Sequence, residues 1–210
     1  MPLLLNVSYE EKDEAKKLGA KWNPELKRWY APQKTDYPKF MKWICDSDDY
    51  IVICDHLYVV EAIRECWKCK KLTRVITFAV DEYFEFDSSG IYSYRNTSVR
   101  KLSSLSPFPE SLLAFLIFND YNYQKKFSKS INQSYLANCC ERCDALQGDF
   151  YLHNEPDSPF VILDKQDFRQ LKFYKLKLKY DIAVENNISD FSDEYDAKQL
   201  AQFMEVNIRI

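Results

Sequence analysis

Glycine is scarce: three residues in a chain of 210. That count leaves no G-x-G-x-x-G and no G-x-x-x-x-G-K-[ST] pattern, so cradling of nucleotide phosphates by a glycine-rich loop is excluded. The chain also lacks an apolar run of membrane-spanning length. Leu3-Leu4-Leu5 is too short for a signal h-region and has no basic flank. A soluble cytoplasmic protein with no membrane partner is expected. G-x-S-x-G and H-E-x-x-H are missing, and the two histidines have no cysteine in a helpful local context. Glu82, Glu85 and Asp87 offer a divalent-ion site, but a solvated strand edge explains them more simply. The expectation is a protein that is not an enzyme.

A broad excess of basic charge is lacking too. The formal net charge is −3, which opposes a generic nucleic-acid-coating surface. The charge is uneven. Residues 1–45 carry nine Lys/Arg against six Asp/Glu, and residues 181–210 carry two against seven. A polyanion would favour the first segment. Apolar residues make up 46% and aromatics 16%, enough for a sizeable core.

The chain does have cysteines, seven of them. In a cytoplasmic protein these are reduced thiols or metal ligands rather than disulfides. ECWKCKK and ANCCERCD each contain a C-x-x-C, giving Cys66/Cys69 and Cys140/Cys143. A C-x-x-C in a tight turn aims two thiolates at one point, and two such turns complete a tetrahedron around Zn²⁺. The seventy residues between them raise the closure entropy only logarithmically. One structural zinc is expected, closed to water by its four protein ligands. Cys139 would make the less regular C-x-x-x-C. On an extended strand it also points away from Cys140, so it is expected in apolar packing. Lys70 and Asp144 stand where such knuckles often place glycine, while Lys68, Lys70, Lys71 and Arg142 offset the charge of a tetrathiolate. The alternatives are a redox C-x-x-C, which needs a helix starting at the first cysteine, and unrelated buried thiols. His56 or His153 replacing one cysteine is a further variant. Cys45 and Cys54 read as core thiols.

The pattern of elements is α+β. Leu3–Val7 reads as a strand, and Ser8 to Glu11 as a capping box opening a helix to Leu18 that Gly19 stops. A hairpin follows, turning at Asn23-Pro24, then a helix over 37–45. Residues 46–49 read as a linker between a strand–helix–hairpin module (1–45) and a mostly antiparallel β zinc-ribbon domain (50–210). Strands are predicted over 50–53, 57–63, 72–80, 82–86, 134–137, 146–153, 161–163 and 171–184. Residues 81–133 read as an insertion carrying a helix over 110–118, irregular at 87–100 and mainly loop at 119–132. Ser192 reads as the cap of a final helix over 193–204.

Within the first module, Trp22 and Trp29 pair across the hairpin, with Lys21, Lys27 and Arg28 around them. Rings interleaved with cations suit single-stranded nucleic acid, where bases stack and Lys/Arg meet phosphates. The simpler account makes both tryptophans core and the cations a solvated face. LNV-x-Y-x-EKDEAK-x-LGA-x-W-x-x-x-x-KRWY-x-P resembles a small bacterial domain of unknown function appended to TraC-type plasmid primases and other mobile-element proteins. The matching positions are Leu5 to Val7, Tyr9, Glu11 to Lys16, Leu18 to Ala20, Trp22, Lys27 to Tyr30 and Pro32, with Ser8 where the family usually shows Pro. That resemblance implies a nucleic-acid context. No primase catalytic region is visible, so priming is not implied. The cysteine half is similar to bacterial hypothetical proteins with CxxC-x-ALQGDF-x-L after an earlier C-x-x-C, which carry no activity over. Two functions are therefore expected: an accessory protein that binds zinc and single-stranded nucleic acid, or a regulatory factor with a structural zinc, binding a protein partner through its acidic C-terminal segment or its aromatic insert.

Overall fold

The computed structural model describes residues 1–47, 49–86, 92–192 and 194–210. It is α+β and mostly antiparallel. Three strands form a small N-terminal sheet in the order β1–β3–β2: β1 (Leu3–Leu5), β2 (Lys21–Asn23) and β3 (Arg28–Ala31), with α1 (Lys12–Lys17) between the first two. α1 begins later than the capping box predicts. Glu11 does not reach back to cap the helix; its carboxylate accepts from Ser8 Oγ and from Trp43 Nε1, each at 3.0 Å, and lies beside Lys42. A tertiary contact has won over a local one. Gly19 ends the turn at φ +102°. The segment expected as a helix over 37–45 is a 3-10 helix, Lys34–Trp43, with Pro38 inside it. Pro38 has no N–H to donate, so an unbroken α-helical ladder cannot form through it.

The larger sheet is built from long bent ribbons. β4 (Tyr50–Ile53) and β5 (His56–Glu65) both pair with β6 (Leu72–Phe86), through Ile53↔Tyr83 and Tyr58↔Ala79, and the register of β6 slips at Asp81. β7 (Tyr92–Leu102) pairs with β6 from Phe78 to Phe86. The stretch read as an insertion from residue 81 therefore supplies the second half of β6 and the whole of β7 to this sheet. β7 replaces the irregular segment expected at 92–100, and residues 87–91, including Asp87, lie outside the described residues. Next come α2 (Glu110–Phe118) and a hairpin of β8 (Tyr123–Ser128) and β9 (Gln133–Asn138), where mainly loop was expected before residue 133. The strand predicted over 146–153 is instead α3 (Asp149–His153), starting after Gly148. β10 (Lys172–Lys177) and β11 (Ile182–Glu185) split the strand expected over 171–184 and pair with β5 and β4 respectively. β12 (Ile188–Ser189) pairs with β7. The final helix shrinks to α4 (Ala197–Leu200), capped by Asp196 rather than Ser192, and β13 (Gln202–Arg209) runs parallel to β10. Asp193 lies outside the described residues. Residues 161–163 form no strand; Ile162 N–H donates to Phe191 O at 3.0 Å.

Alternation along the strands separates the cores. Ile51 and Ile53 join α2 on one face of the sheet; Tyr50, Val52 and Cys54 join the N-terminal unit on the other. Tyr37, Phe40 and Trp43 are buried in this second core, at about 1.5–3 kcal/mol for each large side chain. A polar hub pins the same junction. The buried Asp181 carboxylate accepts from Tyr37 Oη (2.6 Å) and from Asp55 N–H (2.9 Å), and Tyr37 Oη also reaches Met1 O at 2.7 Å.

Candidate metal centre and hairpin face

Two equivalent turns bring the cysteines together. In the first, between β5 and β6, Cys66 N–H donates to Lys71 O (2.9 Å) and Lys70 N–H donates to Cys66 O (3.0 Å). In the second, after β9, Cys140 N–H donates to Ala145 O and Asp144 N–H to Cys140 O, both at 2.9 Å. Lys70 and Asp144 both sit at φ 58°, the left-handed position that glycine usually fills. Asn138 joins the two turns: its amide donates to Ile76 O (2.9 Å) and accepts from Ile76 N–H (2.7 Å), extending strand pairing with a side chain. Arg74 Nε and Glu141 meet at 2.6 Å, and Thr73 Oγ1 accepts from Glu141 N–H at 3.0 Å.

The sulfurs of Cys66, Cys69, Cys140 and Cys143 all lie within 4.8 Å of one another. Cys66–Cys143 and Cys69–Cys140 are each 3.7 Å. A tetrahedron with metal–sulfur bonds of ~2.3 Å has edges of about 3.8 Å, so the spacing fits a tetrathiolate ion. Further donors already point at the sulfurs. Gln147 Nε2 donates to Cys66 Sγ, and Arg142 N–H to Cys140 Sγ, each at 3.4 Å. Burial opposes ionisation of Cys66, yet the N–H groups of Cys69 and Lys68 and the neighbouring thiols hold it down to about 6. Cys143 accepts from the Ala145 N–H, but burial and the crowd of sulfurs push it up to about 12. Four thiols this close do not all ionise without a cation among them. Lys68, Lys70, Lys71 and Arg142 are exposed around the cluster, where solvent weakens their compensation.

Cys139 points out of the cluster. It is buried, its Sγ lies against Ala137 O, and burial followed by the Asp144 charge pushes it up to about 11. Cys54 is buried in the second core and Cys45 packs at its edge. Neither histidine joins the sulfurs. His56 Nε2 meets Asp81 at 2.7 Å, and His153 stacks on Phe160. Glu82 is taken by Lys34 and Tyr94, and Glu85 by Arg95. Sequence reasoning missed Gln147, because an amide that donates to a thiolate leaves no spacing signature.

The hairpin face has a different geometry. Trp22 and Trp29 are cross-strand partners, edge to face at 5.6 Å. Trp22 is 48% exposed, and Trp29 is half-buried against the second core. Lys21 and Arg28 pair with Tyr30 and Asn23, so alternation puts them on the opposite face from the rings. Arg28 Nη2 is held by Asn6 at 2.6 Å. Lys27 sits in the turn at φ 51°, where Asn23 Oδ1 accepts from the N–H groups of Glu25 and Leu26.

Residues 3–44 match the family model of a domain of unknown function, DUF5710. The same region is similar to two sequences of DNA primase TraC from Escherichia coli, 54% and 49% identical over 39 residues. Those segments are 19% of this chain and only 3% and 4% of the primases. No solved structure matches the chain. Among the described residues, no helix is long and apolar enough to cross a membrane.

Proposed function

We propose a non-enzymatic accessory protein of the cytoplasm, held together by one structural Zn²⁺, that contacts single-stranded nucleic acid in a mobile-element or DNA-metabolism setting. The zinc reading is carried by the 3.7 Å sulfur edges across the two turns. Zinc favours a closed tetrahedral thiolate set, and such a set leaves no position for a reacting water. Cys66, Cys69, Cys140 and Cys143 would hold the ion, and its role is to tie the β8–β9 hairpin to the β5–β6 turn.

The nucleic-acid reading is supported by the exposed Trp22 ring in a module similar to segments of a DNA primase. Because rings and cations occupy opposite sheet faces, a strand binds across the free edge of β2. One base stacks on Trp22, while Lys21 and Lys27 meet phosphates from the other side. Anisotropy of a labelled single-stranded oligonucleotide tests this. Affinity falls as salt rises, and Trp22→Ala weakens binding about tenfold with the fold intact. Binding that ignores both salt and Trp22 contradicts it.

A second reading, a regulatory factor that binds protein and no nucleic acid, is favoured by β13. It ends the order of the large sheet and exposes Phe203 and Ile208, a geometry open to an added strand.

A further inference from the structure

A cleft of about 1120 Å³ opens between the β8–β9 hairpin, the second cysteine turn and α3. Its walls are rich in rings, among them Trp67, Phe108, Tyr135, Phe150 and Tyr151. Trp67, Phe150 and Tyr151 remain 59%, 57% and 60% exposed, so core packing does not account for them. The Trp67 ring is nonetheless held in place, its Nε1 donating to Leu146 O at 2.7 Å, and Arg64 Nη1 fixes the α3 backbone by donating to the Tyr151 carbonyl at 2.9 Å.

Among the described residues, two acceptors on the same walls have no donor. Gln147 is buried, and its Nε2 is spent on Cys66 Sγ and Ala145 O, which leaves Oε1 without a partner. Asp149 finds no hydrogen-bond donor for its carboxylate among the described residues, and burial raises it to about 6. Gln147 Oε1 is sealed from the cleft, so the Asp149 carboxylate is the acceptor that a bound N–H edge can reach, and the rings beside it offer a flat surface. Arg64 and Lys129 supply positive charge at the same cleft.

Guanine presents adjacent N–H donors on one edge, an imino group and an amino group. Adenine and cytosine put a ring acceptor beside their amino group, and uracil puts carbonyls on both sides of its imino group. Each of those can pair only one carboxylate oxygen and sets an acceptor against the other. We propose that this cleft binds a guanine base, carried by a free nucleotide or by a single strand. The base stacks on the exposed rings and sets both N–H donors of that edge on the Asp149 carboxylate, with its phosphate near Arg64 or Lys129. The site uses none of the β2–β3 hairpin residues, so it stands or falls separately from binding at Trp22.

Titration calorimetry of the zinc-loaded full chain tests it, with GMP, IMP, AMP, CMP and UMP, and with single-stranded DNA containing or lacking guanine. GMP is expected to bind at least tenfold tighter than the other four. IMP lacks the amino group, so that comparison holds even if a variant misfolds. Asp149→Asn and Phe150→Ala each weaken GMP at least tenfold, and Trp22→Ala leaves it unchanged. Binding of guanine-containing strands alone, with the same sensitivity to Asp149→Asn, supports the site and identifies a strand as the source. Equal affinity for all bases, indifference to a correctly folded Asp149→Asn, or no binding of nucleotide and strand alike overturns it.

Discussion

Lowering the pH from about 8 to about 5.5 adds a proton to His153 in the unfolded chain but not in the folded one. The imidazole lies buried on α3, stacked on Phe160 with ring centroids 5.4 Å apart, and its Nδ1 has no partner among the described residues. Burial, helped by the nearby Lys101 charge, holds it down to about 3, against 6.5 when free. The folded value is depressed, so the stability from neutral His153 is complete above 6.5 and is lost as the pH falls toward 3. At pH 5.5 the loss is roughly 1.4 kcal/mol, and below that it grows by about 1.4 kcal/mol per pH unit. Asp149, on the same helix, acts the other way: raised to about 6 from 3.8, it takes its proton first in the folded chain and adds stability as the pH falls. The wild-type curve therefore mixes both groups, and a difference curve separates them. Urea unfolding of wild type and His153→Phe at several pH values, with zinc saturating, gives that difference. The variant should lose its relative disadvantage, or gain, by roughly 1.4 kcal/mol between about pH 8 and about pH 5.5. Parallel curves would refute the buried neutral imidazole.

Three further outcomes follow from single contacts. Cys139→Ser should keep full metal content, whereas Cys140→Ser should release the ion to a chelator far faster, read by a colorimetric zinc indicator. Tyr37→Phe takes a donor from the buried Asp181 carboxylate and should cost about 1–3 kcal/mol in urea unfolding. A neutral result would remove the hub from the account of the module junction. Gly19→Ala meets no atom within 4 Å but must adopt φ +102°, so it should cost about 1 kcal/mol from backbone strain alone, measured as a lower Tm.

The cysteine turns were legible because their chemistry is local. Two cysteines at fixed spacing between β-branched strands say where the sulfurs point, and alternation along the strand tells Cys140 from Cys139. That alternation also separates Lys21 from Trp22 and Arg28 from Trp29, so the split between rings and cations was present in the sequence but obscured by their clustering. β7 and β13 were not legible. The first, YSYRNTSVRKL, is largely polar and exposed, and its pairing with β6 supplies the order that periodicity does not show. In the second, QFMEVNIR, Met204, Val206 and Ile208 alternate with polar residues as a strand would, but the segment adjoins the helix read from Ser192 and was obscured by it. The start of α1 was misplaced for a similar reason, since Trp43 and Lys42 compete for Glu11 and no local pattern records them.

Metal analysis of the purified chain, combined with X-ray absorption at the zinc edge, tests the central claim most directly. The account predicts one zinc per chain bound by four sulfurs at ~2.3 Å, and loss of folded signal when the ion is stripped. A chain without bound metal, or an ion with nitrogen or oxygen among its nearest atoms, would contradict it.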